Sequence, residues 1–254
     1  MGVLARIGPL AGVRVAWRDA IAVLDLHAKL PLGRLLSQLF GGLVLAVYVY
    51  VPIHELLHAL GCFLVGGRVT RIEIAPLFGG TLLARLFPVV SPETEYAGRL
   101  AGFDVGGSSL RLLVTDFAPY LLTVLVGVPL VRRLQHRACA WLVAPALLLA
   151  LAPWMSLPGD YYEMGSVLVT GAVAWLGWDW SAVRSDDLVR LCKAVWAEPG
   201  AFGVTTGAKA VAAVGVITAS IVLGAVLASA TYLLGSLLAP PSHLNAHASD
   251  APAR

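Results

Sequence analysis

Three ionisable residues fall within a short run of an otherwise apolar stretch, His54-Glu55-Leu56-Leu57-His58. On a helix, residues four apart share a face, so both imidazoles can reach one metal ion. Glu55, one step round, can then take a proton from an attacking water, which makes the motif half of a hydrolytic zinc site. At this chain's own His and Glu frequencies the pattern would arise by chance about 0.003 times. Ionisable groups inside a membrane span cost roughly 2.5–3.5 kcal/mol each on insertion scales. Metal ligation would supply the partner that offsets this cost.

A catalytic zinc needs a third protein ligand and an open position. Asp160, Glu163, Asp116, Glu93 and Glu95 are the candidates. Asp160 is favoured because Pro153, Pro158 and Gly159 interrupt the helix around it. Against it stands Asp160-x-x-Glu163, which also reads as a capping-box-like helix start. Asp116, just before an apolar run, reads as an N-cap, and Glu93 and Glu95 after Ser91-Pro92 read as a solvated helix start. His27, His136, His243 and His247 lie in polar connections or the tail and read as solvated.

The elements that must position these groups are membrane-spanning. The chain has 254 residues, 58% hydrophobic and 13% charged, with 18 Lys and Arg against 15 Asp and Glu, and its mean hydropathy is +0.81. Soluble domains run near 45–50% apolar and about 25% charged, so an ordinary soluble enzyme is excluded. The net charge of +3 comes without a basic cluster or aromatic interleaving, which argues against nucleic acid. Cys62, Cys139 and Cys192 lie far apart and read as inert small hydrophobes.

The pattern predicts an all-α polytopic membrane protein of about five transmembrane helices, at 39–65, 117–131, 138–154, 164–178 and 211–238. A short membrane-associated β-hairpin is expected after the first span. There Val69-Thr70-Arg71-Ile72-Glu73-Ile74 alternates with period two, and Pro76-Leu77-Phe78-Gly79-Gly80 turns the chain into Thr81-Leu82-Leu83. Residues 1–34 read as an amphipathic, basic surface segment, 35–238 as the membrane-embedded domain, and 239–254 as a disordered tail. An interfacial helix is expected over 185–197. With five spans and the N-terminus inside, twelve Lys and Arg fall inside and six outside, which places His54 and His58 in the outer half of the membrane.

These features together resemble the site-2 protease family of intramembrane zinc metalloproteases. The resemblance covers roughly residues 39–165 and rests on H54-E-L-L-H58 in a span, on G67-R-V-T-R-I-E-I-A-P-L-F-G-G80, on S91-P-E-T-E-Y-A-G-R-L-A-G102, and on an aspartate near a later span. It implies that His54, His58 and Asp160 bind Zn²⁺, that Glu55 activates water, and that the hairpin approaches the active site. Ile74, Phe78, Gly79 and Gly80 are then the candidate substrate-binding positions, the hairpin edge pairing with an unwound segment. The partners implied are a membrane-protein substrate and the lipid bilayer, and the location a bacterial inner membrane.

The chain departs from the family pattern in two respects. Leu157-Pro158-Gly159-Asp160 has no upstream Asn, the chain's sole Asn being Asn245 in the tail. The family's site usually faces the cytosol, whereas the charge count here points outward. The expected activity is a zinc-dependent endopeptidase. The alternative is a metal-binding membrane protein without hydrolysis, such as a sensor, transporter or assembly factor. Transport requires polar residues across several spans, and here they concentrate at one motif.

Overall fold

The computed structural model describes residues 11–175 and 207–239. The elements are α1 (Ala11–His27), α2 (Leu32–Leu64), β1 (Arg68–Ile74), α3 (Gly80–Leu86), β2 (Val90–Ser91), β3 (Gly98–Asp104), α4 (Ser109–Phe117), α5 (Val128–Leu134), α6 (Ala140–Met155), α7 (Asp160–Trp175) and α8 (Gly207–Leu238). The chain is mostly helical. Among the described residues four stretches are long and apolar enough to cross a membrane: Leu32–Leu64, Ser109–Leu134, Ala140–Ala172 and Val214–Leu238. They mark an integral membrane protein.

Among the described residues four spans stand where five were expected, because the described parts of the 138–154 and 164–178 segments form one broken span, Ala140–Ala172. Neighbours along α8 show it. Trp154 stacks on Tyr232 at 5.6 Å, Tyr161 bonds Thr231 at 2.6 Å and packs its backbone on Gly224, and Gly165 packs on Ser220. The chain therefore advances past α8 in one direction from α6 into α7, through a coiled break at 156–159 where Pro158 and Gly159 interrupt the ladder. Residues 155–163, counted as an outer connection in the charge count, therefore lie within a single membrane-length stretch, Ala140–Ala172.

The first span begins earlier than expected, at Leu32, and ends where Gly66 turns with φ 75° and the Gly66 and Gly67 N–H groups close on Phe63 and Cys62 carbonyls. Pro52 lies inside α2. The second span is irregular, with a 3₁₀ turn at Ala118–Tyr120 and a π turn at Thr123–Gly127 beside Pro119 and Pro129. Close packing of α2 on α6 relies on Gly42, where a Cβ would lie 2.5 Å from the Trp141 carbonyl oxygen.

The expected hairpin is a different structure. Residues 81–83 belong to helix α3, whose Thr-Leu-Leu-Ala-Arg-Leu content favours helix over strand. The partners of β1 arrive later, β2 parallel and β3 antiparallel, in the order β2-β1-β3. Val69, Ile72 and Ile74 of β1 pack with Ala59 and Cys62 of α2, seating the sheet on the end of the first span.

The described part of the 1–34 segment is more than a surface element. In α1, Gly12, Ala16, Asp19, Val23 and His27 form a buried stripe against α8, α5 and α6. Asp19 pairs with buried Arg132 at 3.0 Å and accepts from Tyr232, while Arg132 also donates to the Ser236 and Ala239 carbonyls at the end of α8. His27, expected to be solvated, is buried; its Nδ1 donates to Val23 O at 2.7 Å, and its Nε2 accepts from the Cys139 N–H at 2.9 Å. His136 is exposed. Cys62 and Cys139 are free thiols. The expected helix at 185–197, Cys192, His243, His247 and the tail from 240 lie outside the described residues.

Candidate metal centre

His54 and His58 sit about two-thirds of the way along α2, on the face turned toward α4 and α7. Spacing of four residues brings their Nε2 atoms to 3.1 Å from each other. Asp160, the first residue of α7, reaches in from the break, its Oδ2 3.1 Å from His54 Nε2 and 3.4 Å from His58 Nε2. The break is what makes this possible, since it frees the start of α7 in mid-span and aims its carboxylate at α2.

Donor atoms on one tetrahedral ion at bonds of about 2.0–2.1 Å stand about 3.3 Å apart. The three distances here fit that spacing, so the group can hold a metal ion. Further support comes from the far side of each ring. His58 Nδ1 donates to the Thr115 carbonyl at 2.9 Å, and His54 Nδ1 meets the Tyr50 hydroxyl at 2.9 Å. Such contacts fix ring orientation and leave the Nε2 lone pairs for a cation. Tyr120, fully buried, donates its hydroxyl to Asp160 Oδ2 and packs edge-on against His54.

Glu55 is buried beside this group, with the Leu100 N–H of β3 directed at its carboxylate. Gly98 makes the approach possible. A Cβ there would lie 2.7 Å from Glu55 Cγ and 3.0 Å from its Oε1. A cavity of about 730 Å³ opens onto Glu55, His58 and Asp160, walled by β3, the start of α4 and the break before α7. The Asp160 side chain is 28% exposed, leaving the centre open to that cavity.

Of the candidates for the third ligand, only Asp160 joins the two histidines among the described residues. Asp116 is not an N-cap. That role belongs to Ser108, whose hydroxyl accepts from the Arg111 N–H, and Asp116 lies in the last turn of α4, buried on the cavity wall. Glu163 lines the same cavity one turn after Asp160. Glu93 and Glu95 are exposed in the non-helical link between β2 and β3, so the expected helix start is absent there.

The expected substrate-binding positions lie elsewhere. Ile74 is fully buried in the sheet core, and β1 is the central strand, with β3 along one edge and β2 beside Ile72 and Glu73 on the other. Phe78 packs on Tyr48 at 5.5 Å. Gly79 takes φ 82°, and Gly80 abuts the Ile74 carbonyl, both serving the turn into α3. The strand that borders the cavity is β3, with Gly98, Leu100 and Phe103. Comparison with known proteins found no matching family model, no matching curated protein and no matching solved structure.

Sequence reasoning did not reach Tyr50, Tyr120, Gly98 or Leu100. Tyr50 had a signal, four residues before His54 on the same helical face. Gly98 and Leu100 fall in the Ser91–Gly102 stretch that carries the family resemblance but were given no role there, and Tyr120 arrives by tertiary packing with no signal.

Proposed function

We propose that this chain is a zinc-dependent intramembrane endopeptidase, acting in a bacterial inner membrane on a membrane-embedded or juxtamembrane segment of another protein. The observation that carries the reading is the convergence of two imidazoles and one carboxylate at metal-ligand spacing, with a second carboxylate beside them and a cavity in front. His54, His58 and Asp160 would hold the ion. Zinc, when bound, supplies Lewis acidity that polarises a scissile carbonyl and makes water a better nucleophile at neutral pH.

The chain's own residues do the rest. Glu55, held between the histidine face of α2 and the Leu100 N–H, takes the proton of the attacking water and returns it to the departing amine. Tyr50, Thr115 and Tyr120 keep the ligands in register. The β3 edge not used by β1 offers main-chain groups to an extended substrate segment along the cavity. A helical substrate must unwind locally to use it, because its backbone groups are otherwise satisfied within the helix.

The test compares membranes containing the wild-type chain with membranes containing Glu55→Gln, by mass-spectrometric mapping of new protein N-termini. New termini within or next to spanning segments, absent from Glu55→Gln, support the proposal. Identical termini in both overturn hydrolysis and leave the non-hydrolytic metal-binding alternative.

A further inference from the structure

Asp116 is 5% exposed, and its Oδ2 has no hydrogen-bond partner among the described residues. Desolvating such an oxygen without a donor is costly, so an orphan of this kind marks a partner that arrives from outside. Asp116 lines the cavity that opens onto Glu55, His58 and Asp160, and that cavity is where the partner must come from. Glu163 lines it too. The lining carries Glu55, Asp104, Asp116, Asp160 and Glu163 against His58 and one Arg or Lys, Arg99, whose guanidinium lies 5.3 Å from the centre of the Tyr96 ring.

A metal ion and the proton transfer occupy Asp160 and Glu55, but neither uses Asp116 or Glu163. A second ion there is disfavoured, since among the described residues the ligand atoms within reach of one another are those of His54, His58 and Asp160. What remains is the occupant of the cavity itself. We propose that Asp116 and Glu163 form a subsite for a cationic group of the substrate, an ammonium or guanidinium beside the scissile bond. The inference rests on the hydrolytic reading above and adds to it a substrate class. For an endopeptidase the cation is a Lys or Arg side chain; a free amino terminus there would instead mark an aminopeptidase.

Binding is measured to the full-length, zinc-loaded Glu55→Gln chain in detergent, so that the probe survives. Three apolar peptides are compared: N-acetylated with one central lysine, N-acetylated with norleucine in its place, and the norleucine peptide with a free amine. The lysine peptide is expected to bind about tenfold tighter than its acetylated norleucine counterpart, as one charge-assisted hydrogen bond supplies. That preference should vanish when Asp116→Asn or Glu163→Gln is added, with zinc retained. If Asp116→Asn fails to fold, Glu163→Gln alone decides. Preference for the free-amine peptide instead identifies the cation as an amino terminus. Equal binding of all three peptides, or a preference that survives both substitutions, overturns the subsite. Lysine-selective binding by a chain whose wild type cleaves nothing leaves the subsite standing and overturns hydrolysis. Cleavage indifferent to substrate charge does the reverse.

Discussion

The Nε2 atoms of His54 and His58 face each other at 3.1 Å while their Nδ1 atoms are engaged by Tyr50 and Thr115. Two imidazole lone pairs aimed at one point repel unless a cation lies between them, and Asp160 completes the negative side of that point. The Thr115 contact is to a backbone carbonyl, so the second span itself orients His58.

Tyr120→Phe keeps the buried ring and removes the hydroxyl that donates to Asp160. Loss of such a contact behind a ligand typically lowers metal affinity about 10–100-fold. Competition with a zinc-chelating dye should show this fall, with the melting temperature of the chelator-treated chain nearly unchanged.

Gly98→Ala places a methyl group where Glu55 now sits. Displacing the carboxylate by about 1 Å is expected to lower kcat about 100-fold, while zinc content stays at the wild-type level because no ligand moves. Parallel zinc and peptide-cleavage assays separate the two effects.

Arg132→Met leaves Asp19 buried without its main cation and the last carbonyls of α8 without a donor. Breaking such a pair costs about 3–5 kcal/mol. Thermal denaturation in detergent should show a large loss for Arg132→Met, and a smaller one for the Asp19→Leu/Arg132→Met double variant, in which no charge is stranded.

With the four spans found among the described residues, the start of the first and the end of the last are expected on the same side of the membrane, whereas five spans would separate them. Reporter fusions at residue 1 and after residue 239 should therefore report one compartment. Opposite compartments would show that α6 and α7 cross separately.

Much of this site was legible because its chemistry is local. His54, Glu55 and His58 lie in one helical turn, and the Pro158-Gly159 break pointed to Asp160. Misreadings arose where the decisive partner is distant. A period-two run identified β1, but its strands begin at Val90 and Gly98, and Leu-rich 81–83 went to helix instead. The same Pro-Gly break, read as a loop between spans, is a break within one. His27 read as solvated and Asp19 fell in a segment read as lying on the membrane surface, and only the packing of α1 on α8 and α6 shows both buried.

The central claim is that His54, His58 and Asp160 hold one zinc that Glu55 serves without binding. Its most direct test is zinc content per chain in detergent-purified wild type, His54→Ala, His58→Ala, Asp160→Ala and Glu55→Gln, prepared without chelators. The expected result is about one zinc in wild type and in Glu55→Gln, and a marked fall in the other three. No zinc in wild type, or undiminished zinc in Asp160→Ala, would contradict it.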